Sequence, residues 1–213
     1  MAMELLNDAV QTYLEQHCEP EPELLQHINR ETHLKVPMPG MLSGHFQGRL
    51  LSFLSKLICP DRILEVGTYT GYATLCLAEG LSKEGIIHTI DTNEELEARV
   101  RGYFNQSPLG SKIQYHIGNA SEIISGLNET FNLIFIDADK KNNGTYYDLV
   151  FDKLVSGGIV IVDNVLWHGK IIGGDKDSDS NAIRSFNERI TNDRRVEKLI
   201  LPVRDGLFII RKL

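Results

Sequence analysis

Short apolar runs alternate with helical patterns over the C-terminal three quarters of the chain. Runs at 62–66, 86–90, 112–117, 132–136 and 158–162 each end at a glycine or a polar residue. Helical patterns follow through about residue 80, after Asp91, from Asp137 through Leu154, and over 181–191. Strands that alternate with helices predict an α/β fold with a doubly wound, mostly parallel sheet.

Two further apolar runs, at 196–203 and 207–213, flank Arg204-Asp205-Gly206, which is a hairpin signal. Two strands joined by a tight turn run in opposite directions. One of them must therefore enter the sheet antiparallel, which completes a prediction of seven strands with an antiparallel C-terminal hairpin strand.

The first 58 residues have a different pattern. Apolar residues at helical spacing predict two helices, the first with Leu6, Val10 and Leu14 and the second, after the Pro20–Pro22 break, with Leu24, Leu25 and Ile28. The Pro- and Gly-rich segment 34–44 predicts a loop, and 45–58 predicts a third helix. We expect a single domain over 1–213, with a helical extension and covering loop at 1–58 and the α/β core at 59–213.

Composition narrows the function classes. The 213 residues carry a formal charge of −7, which argues against a nucleic-acid partner. Three separated cysteines show no C-x-x-C spacing, so we predict reduced thiols and no cysteine metal site. No apolar run approaches the roughly 18 residues that span a bilayer, and no signal-peptide pattern opens the chain. We expect a cytoplasmic protein without a membrane partner.

The first strand leads into a turn that begins Glu65-Val66-Gly67-Thr68 and continues to Gly71. In open α/β sheets ligands bind beyond the carboxyl ends of the strands, and Gly67 permits close approach to a ligand. The stretch is not G-x-G-x-x-G, so it fits a pyrophosphate poorly. An acid such as Glu65 suits the cationic sulfonium of S-adenosylmethionine. The alternative is a plain glycine turn between strand and helix.

Two other strand ends could complete a cofactor site. Asp91 ends the second strand, where an acid can accept hydrogen bonds from ribose hydroxyls; Asp91-Thr92-Asn93-Glu94 also resembles a helix-capping sequence. Gly118-Asn119-Ala120 follows the third strand, and small residues there could flank a flat adenine.

The fourth strand ends at Asp137 and the fifth at Asp163-Asn164. Consecutive strands are often neighbours about 4.8 Å apart, so the two carboxylates should lie close and repel unless a cation separates them. A hard divalent ion with oxygen ligands fits, with Asn164 as third donor. Beside a cation, Lys140 would give up its proton more readily, which suits a general base. The alternative is that the aspartates are caps and Lys140 is a solvated charge.

The acid-rich run 173–179 lacks the EF-hand pattern and predicts a mobile loop beside the site. The histidines show no metal-ligand spacing.

Several motifs together resemble the caffeoyl-CoA and catechol O-methyltransferase family, over about residues 36–213. L-E-x-G-x-x-T-G-Y is close to 64–72, D-A-D-K is identical to 137–140, and D-N-x-L-W-x-G matches 163–169. The resemblance implies the Rossmann-like class I methyltransferase fold. Plant members have Tyr where this chain has Asn143, whereas Tyr146 keeps the second aromatic position, so the plant acceptor does not carry over.

The resemblance also assigns roles to single residues. It implies metal ligands at Asp137, Asp163 and Asn164, with Mg2+ as the first choice and Mn2+ or Ca2+ as alternatives. Lys140 matches the proposed base, and Asp137, Lys140 and Trp167 match positions that serve catalysis or the acceptor. It implies S-adenosylmethionine contacts at Met41, Ser43, Glu65, Gly67, Thr68, Tyr72, Ala73, Asp91, Ala120, Asp137 and Asp139, with Met41 and Ser43 closing over the methionine part.

The expected function is metal-dependent transfer of a methyl group from S-adenosylmethionine to a hydroxyl of a small phenolic or catechol-like acceptor, by a homodimer. Two alternatives stay open at this point. One is an NAD-dependent oxidoreductase, which the missing third glycine and the hairpin disfavour. The other is a non-catalytic S-adenosylmethionine-binding partner protein, which the intact Asp137, Lys140, Asp163 and Asn164 set disfavours.

Overall fold

A seven-stranded sheet forms the centre of the computed structural model, which describes residues 8–174 and 176–213. The strands are β1 Arg62–Val66, β2 Ile86–Asp91, β3 Ile113–Ile117, β4 Phe131–Ile136, β5 Leu154–Asp163, β6 Val196–Leu201 and β7 Leu207–Lys212. Their order is β3-β2-β1-β4-β5-β7-β6. All pairs from β3 to β5 are parallel, whereas β7 is antiparallel to both β5 and β6. The predicted fold class is confirmed.

Helices cover both faces of the sheet. They are α1 Asp8–Gln16, α2 Glu23–Lys35, α3 Gly44–Ile58, α4 Tyr72–Ala78, α5 Glu97–Gln106, α6 Ala120–Gly126, α7 Asn143–Phe151, α8 Lys170–Gly173 and α9 Ser178–Asn192. One apolar cluster joins α2 to α5 to one face, and a second joins α6, α7 and α9 to the other. The central strand β4 is therefore buried on both sides, which explains why its sequence is a continuous apolar run rather than an alternating one.

Some predicted boundaries differ from the structure. The helix expected to run from Asp137 to Leu154 is a 3-10 turn followed by α7, which ends at Phe151, and Leu154 already begins β5. A register shift at the start of the β4–β5 pairing lets β5 begin four residues before the apolar run at 158–162. The loop expected at 34–44 contains the end of α2 and a 3-10 turn at Pro39–Met41.

Two of the predicted segments include residues outside the described ranges. Leu6, expected in the first helix, lies outside the described residues. In the acid-rich run, Gly173 ends α8 and Asp177 caps α9 by accepting a hydrogen bond from the Ser180 amide, whereas residue 175 lies outside the described part. The single-domain division at residue 58 stays a prediction. No helix in the described ranges has the length and apolar character needed to cross a membrane.

The N-terminal helices are attached to the sheet layer through α3 and α4. Arg49 on α3 donates to both carboxylate oxygens of Glu79, at 2.8 and 3.1 Å, and Ser52 and Lys56 donate to the same group. These donors hold the pKa of Glu79 at about 2 although burial opposes them. Next to this cluster, Gly80 lies against the backbone of α3.

The first prediction concerns the close contact between Gly80 and the backbone of α3. A Cβ added at Gly80 would lie 2.2 Å from the Ser55 carbonyl carbon, so Gly80→Ala should destabilise the protein by about 1–3 kcal/mol through backbone displacement. Gly102→Ala is the matched control, because that helical glycine in α5 has open space around its Cβ position. The control should stabilise by about 0.5–1 kcal/mol. Urea denaturation followed by circular dichroism measures both; equal effects would contradict the close-packing argument.

A second prediction concerns two histidines on β2 and β3. His88 Nδ1 lies 3.0 Å from His116 Nε2, and burial lowers the pKa of both rings below the ordinary value. The unfolded chain therefore binds more protons than the folded one as pH falls below about 6.5. The free energy of unfolding should decrease over this window by at most about 1.4 kcal/mol per pH unit for each proton, until the folded pKa values are passed.

Denaturant titrations at pH 7.5 and 5.5 test this. The pH dependence should be smaller in His88→Gln/His116→Gln than in the wild type, and unchanged in His33→Gln, whose ring is exposed. Comparison between variants removes the contribution of the carboxylates, which titrate in all of them. An unaltered pH dependence in the double variant would show that the pair does not set it.

Candidate functional site

A cleft of about 1510 Å³ opens at the carboxyl ends of the parallel strands. Single small-molecule pockets are usually about 300–1,000 Å³, so this cleft has room for a cofactor and an acceptor side by side. Ten of the predicted site residues line it: Met41, Gly67, Asp91, Ala120, Asp137, Asp139, Lys140, Asp163, Asn164 and Trp167.

The register of β4 and β5 brings the two strand-end aspartates together. Ile136 pairs with Val162, so Asp137 and Asp163 are the next residues on adjacent parallel strands. Asp163 is only 3% exposed. Burial, followed by the charge of Asp137, raises the pKa of Asp163 well above its ordinary value. The arrangement is costly for two anions and becomes favourable when positive charge is added.

Both oxygens of Asp163 are oriented by donors. Gln47 Nε2 donates to Oδ2 at 2.6 Å, and the Asn164 amide donates to Oδ1 at 2.7 Å. Asn164 has φ 61°, a left-handed conformation that a non-glycine residue adopts rarely outside constrained or functional positions. Among the described residues, none donates a hydrogen bond to the Asn164 side-chain oxygen, and Asn164 lines the cleft.

Asp137, Asp163 and Asn164, which we call the trio, contribute two carboxylates and one amide. Within residues 8–174 and 176–213, no group of three His, Cys, Asp or Glu side chains is placed to hold a metal. A metal at this site therefore depends on the Asn164 amide as well as on the carboxylates. Oxygen-only donors of this kind suit Mg2+, Mn2+ or Ca2+ rather than a soft metal ion.

Lys140 lies one turn beyond Asp137, in a 3-10 turn that directly precedes α7. Its Nζ is 2.9 Å from Asp137 Oδ1, and its side chain is 11% exposed. The next acid, Asp139, accepts hydrogen bonds from the Tyr146 hydroxyl at 2.7 Å and from Asn142. The D-A-D-K segment thus directs one carboxylate and one ammonium at the same part of the cleft.

The glycine turn and the metal side share one piece of backbone. Gly67 has φ 105°, and a Cβ there would lie 2.1 Å from the Asp137 carbonyl oxygen. The Asp137 amide in turn donates to the Val66 carbonyl at 2.8 Å. Only glycine fits this contact, so the residue that was expected to admit a ligand also sets the position of Asp137.

Asp91 closes the turn after β1. Its Oδ2 accepts a hydrogen bond from the Tyr69 amide at 2.6 Å, and its Oδ1 accepts one from the Asn93 amide at 2.9 Å. The capping role that the sequence allowed for this segment belongs to Asn93, which accepts from the Glu95 amide. Asp91 still lines the cleft, with lone pairs available beside those two bonds.

Five predicted cofactor residues are buried and do not line the cleft in this structure: Ser43, Glu65, Thr68, Tyr72 and Ala73. Glu65 accepts hydrogen bonds from Thr74 and from Thr89, and burial raises its pKa to about 8. Its carboxyl group is therefore directed to these two threonines rather than into the cleft. Tyr72 donates to Glu21 at 2.5 Å, away from the turn.

Trp167 and His168 follow β5 and form the outer wall. Both have positive φ, 47° and 53°. The His168 amide donates to the Asp205 carboxylate at 2.5 Å, which holds this segment against the β6–β7 turn. The Trp167 indole N–H is buried and has no partner among the described residues.

Three residues escape a reading of the sequence alone: Gln47, Tyr69 and Arg204. Gln47 lies 116 residues from the carboxylate that it contacts, and no motif marks its position on α3. Tyr69 and Arg204 act on the segment 36–43 through main-chain carbonyls. Arg204 appeared in the sequence only as part of a hairpin signal, so nothing indicated its reach.

Comparison with known proteins agrees with this geometry. A family model described as O-methyltransferase matches residues 15–213. Caffeoyl-CoA O-methyltransferase 5 of Nicotiana tabacum is 30% identical over 98% of this chain and 93% of its own length.

Two solved structures share the fold over almost their whole length. The SAH-bound methyltransferase PaMTH1 of Podospora anserina superposes with a TM-score of 0.90 at 28% identity, covering 100% of this chain and 99% of that one. An O-methyltransferase from Bacillus cereus in complex with SAH gives 0.88 at 28% identity, covering 96% and 97%.

The family resemblance expected from the motifs is therefore confirmed. The match covers nearly the entire chain, and the fold superposes on these methyltransferases over almost its whole length. This chain belongs to the O-methyltransferase family, as an S-adenosylmethionine-dependent enzyme related to the caffeoyl-CoA O-methyltransferases.

Proposed function

We propose that the protein transfers the methyl group of S-adenosylmethionine to one hydroxyl of a small catechol-like acceptor, with a divalent cation at the strand ends. The observation that carries this proposal is the placement of Asp137 and Asp163 in register beside Asn164, with Lys140 on Asp137. Family membership decides against the NAD-dependent oxidoreductase and the non-catalytic binding protein.

The residues present fit a divalent cation. A carboxylate that is 3% exposed next to a second carboxylate needs positive charge nearby, and Lys140 supplies only one unit of it. Asp137, Asp163 and Asn164 would hold the ion, preferably Mg2+, with Mn2+ or Ca2+ as alternatives. When bound, the cation would hold two neighbouring acceptor oxygens and make the acceptor hydroxyl more acidic.

On the donor side, the cleft offers the elements that a nucleoside with a sulfonium tail requires. Asp91 would accept hydrogen bonds from the ribose hydroxyls, Ala120 and Gly118 would flank the adenine, and Met41 would cover the methionine part. The solved structures bound to SAH support this use of the cleft. Since Glu65 is buried and does not line the cleft, we assign the attraction for the sulfonium to the acids that line the cleft rather than to Glu65.

In the reaction, the acceptor oxygen forms a bond to the methyl carbon as the carbon–sulfur bond breaks, and that bond's electron pair returns to sulfur. Lys140, as the neutral amine that a neighbouring cation favours, would take the acceptor proton at Nζ. Its approach to Asp137 places Nζ beside the carboxylate that would also orient the acceptor. Trp167 would close the acceptor side and exclude water, which favours a reaction in which opposite charges are neutralised.

The acceptor class follows from the trio more than from the relatives. A six-coordinate ion with three protein ligands would leave three positions open, and two adjacent ones would suit neighbouring acceptor oxygens, as in a catechol. The relatives' names specify caffeoyl-CoA, but Asn143 stands where the resemblance expects tyrosine in plant members, and it is buried. We therefore propose a small phenolic acceptor for this enzyme and do not extend the CoA thioester substrate of the relatives to it.

We also propose that the enzyme works as a homodimer. Phe53 and Leu57 lie one turn apart on α3 and are 62% and 69% exposed, and Tyr13 on α1 is 60% exposed. Large apolar side chains grouped on helices that pack together are typical of protein interfaces.

The third prediction tests the metal site. Asp163→Ala should lower kcat/KM for a simple catechol by on the order of 10³-fold or more, because it removes one of three ligands together with its charge. EDTA should inhibit the wild type, and added Mg2+ should restore it. Calorimetry with Mn2+ should show binding to the wild type and none to the variant. A radiolabelled methyl donor gives the rate.

Asp148→Asn is the control, since Asp148 pairs with Arg189 on the surface away from the cleft. It should retain wild-type rates and Mn2+ binding. Full activity of the wild type in EDTA, or of Asp163→Ala in Mg2+, would refute metal dependence. Methyl transfer to catechol by neither protein would point to another acceptor.

The fourth prediction separates the proton-accepting role of Lys140 from its charge. Lys140→Met should lower kcat by about 10²–10⁴-fold, the range for loss of a general base, and should alter the pH–rate profile. Lys140→Arg keeps a cation next to Asp137 but does not give up its proton near neutral pH, so it should stay slow. Recovery of the rate by arginine would show that only the charge matters, and an unchanged pH–rate profile in Lys140→Met would exclude the base.

A further inference from the structure

A short segment crosses one side of the cleft between α2 and α3. We call residues 36–43 the strap. Val36, Pro37, Met38, Gly40 and Met41 all line the cleft. The methionines at 38 and 41 are 69% and 53% exposed, so little side-chain packing fixes the middle of the strap. Its position has to come from its main chain.

Two side chains hold that main chain, one from each side of the cleft. The Tyr69 hydroxyl lies 2.9 Å from the Pro37 carbonyl oxygen and 3.2 Å from that of Met38. At the other end, the Arg204 guanidinium donates to three carbonyls in the space of four residues. They belong to Gly40 at 3.2 Å, to Leu42 at 2.5 Å and to Ser43.

Arg204 is committed to this contact. It forms no ion pair with any carboxylate in the described ranges, and its hydrogen-bond partners there are strap carbonyls. Its own backbone has φ 48°, in the left-handed region where a residue with a Cβ is strained. A guanidinium with several donors in a fixed plane can bind several carbonyls at once, which an ammonium does less well.

The same turn also holds the segment after β5 that forms the outer wall of the cleft. The adjacent Asp205 accepts a hydrogen bond from the His168 amide through its carboxylate, and its carbonyl accepts one from the Leu166 amide at 2.9 Å. The β6–β7 turn thus contacts the strap on one side and the segment after β5 on the other. Both contacts are hydrogen bonds to main-chain groups, so they fix backbone positions directly.

We propose that Arg204 is a positioning residue that holds the strap closed over the methyl donor. This rests on the proposed use of the cleft for S-adenosylmethionine. Arg204 itself lines the cleft, but its guanidinium is bonded to strap carbonyls, so it would act by keeping Met41 and its neighbours at the cleft wall. Loss of the guanidinium should therefore weaken donor binding and leave the reacting groups Asp137, Lys140 and Asp163 in place.

The experiment compares Arg204→Met, Arg204→Lys and Arg204→Gly with the wild type. In the ligand-free protein, amide hydrogen exchange of peptides covering 38–46 should be faster in the Met and Gly variants. Calorimetric titration with S-adenosylhomocysteine should give a Kd about tenfold higher in these variants, the change expected when one or two charge-assisted hydrogen bonds are lost. In turnover, KM for S-adenosylmethionine should rise by a similar factor, while kcat stays within about twofold.

Arg204→Lys should give intermediate values. Arg204→Gly relieves the backbone strain, which offsets part of the stability lost with the hydrogen bonds, and urea denaturation of each variant separates weaker binding from a folding defect. Arg211→Met is the matched control, because Arg211 lies on β7 of the same hairpin and pairs with Glu197 at the surface. It should change neither exchange nor affinity.

Unchanged strap exchange in Arg204→Met would overturn the proposal. Faster exchange with unchanged affinity for S-adenosylhomocysteine would overturn the positioning role. Failure of the wild type to bind S-adenosylhomocysteine would instead refute the proposed use of the cleft, and the exchange data would still show whether Arg204 holds the strap.

Discussion

The candidate site depends on the parallel register between β4 and β5. This register places Asp137 and Asp163 side by side at the ends of two strands that are buried on both faces. Two carboxylates at such positions repel each other in a medium that screens them poorly. Lys140 and the Gln47 amide offset part of that cost. The remaining unfavourable charge is the physical basis for the cation that we propose at this position.

The cofactor side and the metal side are mechanically one unit. Gly67 lies against the Asp137 carbonyl so closely that no Cβ fits, and the Asp137 amide is bonded to Val66. A shift of the β1 turn to suit a ligand would therefore move Asp137 as well. Methyl transfer requires the donor carbon and the acceptor oxygen in line at close range, and positions shared through one stretch of backbone provide that alignment without a moving part.

Sequence alone predicted the strands, the hairpin and the chemistry at strand ends, because strand periodicity and turn residues are local signals. Asp137, Asp163 and Asn164 could be placed at one edge since the carboxyl ends of neighbouring parallel strands meet there. The direction of a side chain within the core was not predictable. Glu65 is adjacent to the glycine turn in sequence, but it points to Thr74 and Thr89 and is buried. Gln47 depends on how α3 packs across the sheet, which no local pattern specifies.

The antiparallel β7 has a consequence for the site that a further parallel strand would not have. A parallel strand next to β5 would begin at the far edge of the sheet, whereas β7 begins where β5 ends, with Leu207 paired to Asp163. The turn before β7 is thereby fixed at the same edge as the candidate ligands. Arg204 then contacts the strap on one side, and Asp205 contacts the cleft wall at Leu166 and His168 on the other. The strand that distinguishes this sheet from a uniformly parallel one is thus also the strand that joins the two walls of the cleft.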